Sequence, residues 1–202
     1  SSCLTFNILI MKHILIINGH PEIKSLCTEL AMAYQKGATA GGAKCKLVNL
    51  CTLKFDPLLH LHQAPFFKME EDLIEVQKDI KEADHLVFVY PNWWGTYPAL
   101  LKGFIDRVFT PGFAYKTSKD SLIFEKLLKG KSAHIFVTMN NTKFTFYFRY
   151  GQTGHISMKR NILGACGVKP VRITSIGPVK TAQEYKIKSW LREVERLGKK
   201  MK

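Results

Sequence analysis

The segment 92–97 contains side chains that suit the binding of a planar ligand. It holds two tryptophans and a tyrosine beside a glycine, and large flat rings stack well on flat ligands. The segment follows an apolar run, 85–90, that predicts a strand buried on both faces, and Pro91 ends that strand because proline has no N–H to donate. The alternative is that Trp93 and Trp94 fill the core, since tryptophan is usually well buried.

A second loop has the features of an anion site. The apolar run His13 to Asn18 predicts a strand, and the chain then passes through His20 and Ser25 into a helix that ends near Ala40. Free N–H groups and the helix dipole converge at a helix N-terminus, which favours a phosphate there. Ser25 suits either an N-cap or a phosphate ligand. The loop has neither the glycine pattern of a Rossmann turn nor that of a P-loop, so we expect neither site.

Other chemistries receive less support from the sequence. Ser25 near His20 resembles a nucleophile and its base, but no acid completes the set, and the role of phosphate ligand is preferred. His60 and His62 stand close enough in sequence to share a metal ion. No set of cysteines or carboxylates accompanies them, so we expect no metal site.

Strands and helices alternate along the chain, which predicts a doubly wound parallel sheet with helices on both faces. The predicted strands are His13–Asn18, Lys44–Leu50, His85–Tyr90, Ser132–Met139 and Val168–Ile176. After the first helix, the predicted helices are Lys68–Ala83, one that begins at Pro98, His155–Cys166 and Thr181–Leu197, the last with a capping box formed by Thr181 and Glu184. The segment 116–131 is expected to be a polar connection. The candidate ligand loops all follow strands, at the carboxyl edge where open α/β folds bind ligands.

Composition excludes several classes of protein. The 202 residues are 46% hydrophobic without a polar low-complexity tract, and no apolar run is long enough to span a membrane. The net charge is +14, from 30 Lys and Arg against 16 Asp and Glu, but without a nucleic-acid-binding motif we expect the basic surface to attract dinucleotide phosphates instead. The five cysteines are an odd number without paired spacing, which indicates a reducing cytoplasm rather than a disulfide framework.

The region 91–115 carries a resemblance to a known family. Its matching positions are Pro91, Trp94, Pro98-Ala99, Leu101-Lys102-Gly103, Asp106-Arg107-Val108-Phe109 and Phe113-Ala114-Tyr115. With these residues the chain resembles the flavodoxin-fold NAD(P)H:quinone oxidoreductases, a family that includes mammalian quinone reductases, small bacterial flavoproteins and the ancillary subunits of potassium-efflux systems. The resemblance extends from Met11 to about Leu197.

The resemblance implies a flavodoxin-like sheet of five strands in the order 2-1-3-4-5, which makes the strands before the three candidate loops neighbours. It also implies bound FMN, alternatively FAD, with NAD(P)H as co-substrate. The flavin-binding positions it implies are His20, Ser25, Leu26, Cys27, Pro91, Asn92, Trp93, Trp94, Thr138, Met139 and Asn140. Two positions depart from the family: Cys27 replaces a common asparagine, and Asn140-Asn141 replaces Gly-Gly. Asparagine tolerates left-handed backbone, so we expect the second turn to survive with altered contacts to the flavin ring.

The leading functional hypothesis is an enzyme that reduces quinones or similar electrophilic aromatics. Trp94 and Tyr115 are predicted to wall a slot over the flavin that nicotinamide and acceptor occupy in turn, which gives a two-electron ping-pong reaction. The alternatives are a flavin-bound regulatory subunit docked on a membrane transporter, and an electron-carrier flavodoxin. Carriers of that kind are typically acidic and smaller than this basic chain.

The segment 144–150 is unusually aromatic for a loop. It is expected either to pack against a second subunit or to cover the substrate pocket, because an exposed aromatic segment would associate non-specifically with other molecules. A homodimer is therefore predicted. Residues 1–10 precede Met11-Lys12, which has the look of a natural start, so we expect them to be an extension and residues 11–202 to form one flavodoxin-like domain.

Overall fold

A computed structural model describes residues 11–60, 68–118 and 121–201. Residues 1–10 and His62 lie outside the described residues. The strands are β1 His13–Asn18, β2 Lys44–Asn49, β3 His85–Pro91, β4 Tyr115–Ser118, β5 Ser121–Lys126, β6 Ser132–Thr138 and β7 Val171–Ile176. The helices are α1 Leu26–Ala40, α2 Glu71–Glu82, α3 Ala99–Val108, α4 Lys143–Phe148, α5 Thr153–Ile156, continued by a π-helical stretch Ser157–Gly164, and α6 Glu184–Lys199.

Five strands form one parallel sheet in the order β2-β1-β3-β6-β7. Counted within this sheet alone, the order is 2-1-3-4-5, so the predicted flavodoxin-like fold is confirmed. Strands β1, β3 and β6 are adjacent, with Asn18 opposite Val89 and Pro91 opposite Thr138. This register brings the three candidate loops to the same edge of the sheet.

Helices cover both faces of the sheet. On one face, α1 and α6 bury a cluster that includes Leu30, Tyr34 and Val194. On the other, α2, α3 and the segment 153–164 bury the larger cluster. Every residue of β3 is buried, which explains why this strand reads as a continuous apolar run. Each fully buried large apolar side chain contributes roughly 1.5–3 kcal/mol, so these clusters fix the strand ends that support the site.

A buried ion pair ties the loop before α2 to α3. The Arg107 guanidinium, almost fully buried, lies 2.6 Å from Glu70 Oε2 and donates to the carbonyl of Asp56. Burial alone would raise the pKa of the Glu70 carboxyl, but the backbone N–H of Asp56, its own N–H and Arg107 outweigh that effect and lower it. This pair therefore stabilises the folded chain only while Glu70 is ionised.

The predicted capping box at the last helix is wrong. The helix α6 begins at Glu184 after Gln183, which makes no side-chain cap. Val179 N–H donates to Met139 O at 3.0 Å, and Ala182 N–H donates to the carbonyl of Val179 at 3.1 Å. These bonds hold the chain before α6 as a turn against the end of β6, so Thr181 cannot start the helix.

Three further segments differ from expectation. The connection 116–131 contains the antiparallel hairpin β4–β5. Its alternation of apolar and polar residues is too short to be recognised in the sequence. The aromatic segment 144–150 is helical over most of its length because Thr142 caps it, with Oγ1 accepting from Thr145 N–H at 3.2 Å. The helix expected at 155–166 begins at Thr153, and most of it is π-helical. In the described part of the chain, no helix combines the length and the apolar character needed to cross a membrane.

Candidate functional site

A cavity of about 290 Å³ opens at the carboxyl edge of the sheet, between the loops that follow β1, β3 and β6. Ten of the eleven predicted flavin-binding residues line it: His20, Ser25, Leu26, Cys27, Pro91, Asn92, Trp93, Thr138, Met139 and Asn140. The structure therefore brings these residues together. Three more residues line it, namely Glu22 and Lys24, which lie in the loop 22–27 whose backbone was predicted to hold the flavin phosphate, and Val179, which was not predicted.

The loop after β1 is held by a buried asparagine that sequence reasoning missed. Asn18 Nδ2 donates to Thr28 Oγ1 and to Asn49 Oδ1, both at 2.9 Å, and its Oδ1 accepts from His20 N–H at 3.2 Å. Asn18 is fully buried at the end of an apolar strand. A polar residue that closes such a strand was the signal that could have identified it. Its three bonds tie the loop to the first turn of α1 and to β2.

Ser25 is the N-cap of α1, which confirms one of its two predicted roles. Its Oγ accepts from Thr28 N–H at 3.3 Å and lies 3.1 Å from Thr28 Oγ1. The remaining N–H groups of the first turn have no partner within the helix, so the cavity meets the positive end of a 15-residue helix. His20 Nδ1 lies 3.0 Å from Glu22 N. The imidazole thus supports the loop, and in the described part of the chain no hydrogen bond joins it to Ser25.

The floor of the cavity joins α1 to the sheet. Cys27 Sγ lies 3.4 Å from Thr138 Oγ1, and Asn92 N–H donates to the carbonyl of Thr138 at 2.7 Å. Burial raises the pKa of the Cys27 thiol to about 11, against a smaller lowering by the Thr138 hydrogen bond. The thiol is therefore protonated at neutral pH, and it acts as a small neutral group rather than as a nucleophile.

The residues 93–96 form a tight reverse turn at the rim. Trp93 and Thr96 exchange two backbone hydrogen bonds, of 2.9 and 3.0 Å, and the central residues Trp94 and Gly95 have φ of 52° and 82°. Positive φ at both central positions is the pattern of a type I′ turn. Trp93 lines the cavity, half-exposed, with its ring edge-on to His20 at 5.9 Å.

The structure does not place Trp94 or Tyr115 among the lining residues of this cavity. The turn projects the Trp94 side chain into solvent, where its relative exposure is 102%, so the alternative that Trp94 fills the core is wrong. Tyr115 is half-buried at the start of β4, opposite Lys126. The wall that both residues were predicted to form is not found within one chain.

The loop after β6 is supported by the segment before α6. Met139 N–H donates to the carbonyl of Ile176 at 2.9 Å, and the Met139 carbonyl accepts from Val179 N–H at 3.0 Å. Asn140 Oδ1 accepts from Lys180 N–H at 3.0 Å. Neither Asn140 nor Asn141 has positive φ, so the turn does not use the left-handed backbone that was expected there. The asparagine side chain takes a structural role instead, because its amide oxygen holds the neighbouring loop.

Comparison with known proteins agrees with this fold. The model of a family described by its flavodoxin-like fold matches residues 12–198. The chain belongs to that family. Among curated relatives, an uncharacterized NAD(P)H oxidoreductase of Haemophilus influenzae is 30% identical over 84% of this chain and 85% of its own length. The ribosyldihydronicotinamide dehydrogenase [quinone] of Rattus norvegicus is 25% identical over 93% of both chains.

Solved structures show the same architecture. Smu.1420 from Streptococcus mutans superposes with a TM-score of 0.81 at 30% identity, over 93% of this chain and 99% of its own. An FMN-dependent NADH-azoreductase from Bacillus anthracis, solved in complex with FMN, superposes with a TM-score of 0.75 over 95% of this chain and 99% of its own. At 16% identity, the latter likeness concerns the fold alone.

In this flavodoxin-like protein the cavity combines two chemical environments. At one end, the start of α1, Lys24 and the Ser25 hydroxyl favour an anion. At the other, Pro91, Trp93 and Met139 offer flat or apolar surface beside backbone amides. Such a site suits an elongated ligand with a charged end and a planar end. Among the residues that the structure describes, no group of three or more His, Cys, Asp or Glu could hold a metal ion.

Proposed function

We propose that the chain is a flavin-dependent NAD(P)H oxidoreductase of the NAD(P)H dehydrogenase (quinone) type. Its acceptors would be quinones or similar electrophilic aromatics, reduced by two electrons in a ping-pong reaction. The observation that carries the proposal is the single cavity in which ten predicted flavin-binding residues meet at the carboxyl edge of a flavodoxin-like sheet. Relatives named as NAD(P)H and quinone oxidoreductases support the class of reaction.

The charged end of the cavity fits the phosphate of a flavin. Free N–H groups at the start of α1 point toward an anion, and Ser25 Oγ has a lone pair or proton to offer beyond its bond to Thr28. Lys24, exposed at the mouth, adds a positive charge that Glu22 partly offsets. A terminal phosphate monoester carries close to two negative charges, so we favour FMN and keep FAD as the alternative.

The other end of the cavity fits the isoalloxazine ring. Residues 91–93 would lie along its polar edge, and Thr138 to Asn140 would face its pyrimidine end. When bound, the flavin supplies the hydride-transfer chemistry, accepting two electrons from NAD(P)H and passing them to the acceptor. The residues contribute position and dipoles: Thr138 Oγ1, fixed by its contact with Cys27 Sγ, is available to donate toward negative charge that develops at the ring.

We also propose that a homodimer completes the slot over the ring. Several aromatic side chains of the turn 93–96 and of the segment 144–150 are exposed, namely Trp94, Phe144, Tyr147, Phe148 and Tyr150. The helix α4 packs its buried Phe146 inward against His155 at 4.7 Å, which leaves Phe144 and Phe148 facing outward. Monomeric proteins rarely expose such a patch, and a two-fold interface can bury it. A second subunit would then cover Trp94 and give it, with Tyr115, the predicted role of a wall.

One slot explains the order of the reaction. Nicotinamide and an aromatic acceptor must each lie flat at about 3–3.5 Å from the ring, and both cannot do so together. The residues of the slot would therefore bind the two substrates in turn.

The cysteines also bear on where the protein acts. The free thiols among the described cysteines, Cys27, Cys45, Cys51 and Cys166, support a reducing, cytoplasmic location for the protein.

The first experiment is an absorption spectrum of the purified protein, followed by mass analysis of the released cofactor. We expect a yellow protein that releases FMN. A colourless protein that no flavin reconstitutes would refute the proposal. Initial rates with NAD(P)H and a simple benzoquinone then test the slot, and parallel double-reciprocal lines are expected. Intersecting lines would exclude the ping-pong order.

Trp94→Ala tests the wall, and Tyr185→Ala is its control because Tyr185 is another exposed aromatic, on α6. We expect Trp94→Ala to reduce turnover severalfold while flavin stays bound, and Tyr185→Ala to behave as the unmodified protein. Equal rates for the two variants would remove Trp94 from the mechanism.

Light scattering tests the dimer. The chain mass is 23.0 kDa, so we expect a particle of about twice that mass at micromolar concentration. Phe144→Asp combined with Phe148→Asp should shift it toward the monomer, because two carboxylates in an apolar interface are costly to bury. A monomeric unmodified protein would contradict the proposal.

A further inference from the structure

A second cavity, of about 660 Å³, opens at the opposite, amino edge of the sheet beside the start of β7. Four basic side chains line it: Lys126, Lys159, Arg160 and Lys169. Val168, Pro170 and Val171 provide an apolar surface beside them. Because the candidate catalytic cavity follows the carboxyl ends of the strands, the two sites are separate.

The charge in this basic cavity is not compensated within the described residues. No aspartate or glutamate lines it, and none of its four cations forms an ion pair with a described carboxylate. Lys126 Nζ instead donates to the carbonyl of Gly164 at 3.2 Å. Like charges gathered in one concavity repel each other, and a bound anion removes that cost.

The backbone that carries two of these cations has an unusual conformation. Lys159 and Arg160 are consecutive residues of the π-helical stretch that ends at Gly164. A Cβ at Gly164 would lie only 2.9 Å from the carbonyl oxygen of Lys159, so this coil requires a glycine there. π-helical turns are rare and occur frequently at functional sites. The π-helical stretch places two adjacent positive side chains at the opening of the basic cavity.

We propose that the basic cavity binds a phosphate-bearing small molecule that also has a flat apolar group, as a nucleotide has. The volume lies in the range of small-molecule sites. The lysines and the arginine would bind the phosphates, the guanidinium with two parallel hydrogen bonds. The surface of Val168, Pro170 and Val171 would bind the flat group.

Isothermal titration of ATP into the FMN-loaded protein at low salt tests this proposal, because the flavin fills the other phosphate site. We expect one binding event that the double variant Lys159→Gln, Arg160→Gln weakens roughly tenfold. The matched control is Lys78→Gln, Lys186→Gln, which removes the same charge from two exposed helix positions outside the cavity. The control should bind ATP as the unmodified protein does.

Three results would overturn the proposal. The first is no ATP binding, or ATP binding that the cavity variant leaves unchanged. The second is an equal loss in both double variants, which would reveal a response to net charge alone. The third is inorganic triphosphate binding as tightly as ATP, which would exclude the flat group. A duplex DNA that binds where ATP does not would assign the cavity to nucleic acid instead.

Discussion

The substitution Ser25→Asp separates the two roles that the structure allows for Ser25. The Ser25 hydroxyl caps α1 through Thr28 N–H. Aspartate is as good an N-cap as serine, so a purely structural role predicts that the variant folds with unchanged stability. A phosphate beside residue 25 predicts a different result, because the new carboxylate would face an anion.

The size of the effect follows from the surroundings of Ser25. Two unit charges about 5 Å apart interact by about 3 kcal/mol at an effective dielectric constant of about 20. Ser25 is only half-buried, and solvent screening reduces this energy to about 2 kcal/mol. We therefore expect the Kd for FMN to rise roughly thirty-fold. The variant Ser25→Ala is the complement: it loses the cap, at a cost of about 1 kcal/mol of stability, without adding a charge.

The assay is titration of the flavin-free protein with FMN by fluorescence quenching, together with thermal unfolding of the same samples without flavin. Ser25→Asp should unfold at the same temperature as the unmodified protein and bind FMN much more weakly. Ser25→Ala should unfold earlier and bind FMN with a smaller loss. If Ser25→Asp binds FMN normally, the phosphate does not lie at the start of α1, and the assignment of the cavity ends is wrong.

Three further predictions concern the frame of the site. Glu70→Gln should lower the free energy of unfolding by about 2 kcal/mol at pH 7, because it removes the carboxylate charge that lies against the buried Arg107 guanidinium. The pKa of Glu70 in the folded chain lies below its ordinary value. This stabilisation is therefore fully present at a pH above the ordinary pKa and is lost as the pH falls through the folded pKa. Urea unfolding at low pH should show little difference between Glu70→Gln and the unmodified protein. Burial lowers the pKa of His155 from 6.5 to about 4. As the pH drops, the unfolded chain therefore takes up a proton first, and the free energy of unfolding falls between about pH 6.5 and pH 4. His155→Gln should reduce this pH dependence by about 2 kcal/mol, and an unchanged dependence would contradict the burial of a neutral imidazole. Gly154→Ala places a Cβ 2.7 Å from the Gly95 carbonyl oxygen. We therefore expect a free energy of unfolding lower by about 1–3 kcal/mol and weaker FMN binding. Normal values for both would show that the segment 153–156 does not support the rim of the cavity.

The position of the cavity could be predicted because its loops follow strands with strong local signals, and its individual residues were predicted from the family resemblance. The runs 13–18, 85–90 and 132–138 each have an apolar centre, and their parallel arrangement places the loops after them at one edge. Asn18 was missed because its importance comes from three partners on different elements, one of them 31 positions away. Val179 was missed for the same reason, since only a hydrogen bond to Met139 brings it to the cavity.

Errors arose where tertiary contacts override local preference. Thr181 and Glu184 have the spacing of a capping box, but bonds to the end of β6 hold the chain before α6 in a turn. Tryptophan is a common core residue, yet the turn that Trp94 occupies projects it into solvent. The role of an exposed side chain depends on the molecule that binds to it, and the spacing of residues along one chain does not identify that molecule.

The sequence by itself determined the class of fold and the loops that meet at the carboxyl edge, because period, strand length and helix-starting residues are local properties. The order of the strands and the individual flavin-binding positions were predicted from the resemblance to a known family. Only the tertiary structure decided which side chains of those loops face the cavity, how Asn18 and Met139 hold them, and that a separate basic cavity exists at the amino edge. Lys126 and Lys159 are far apart along the chain, and a charge pattern of this kind becomes a site only when the packing of β5 against the π-helical stretch brings its members together.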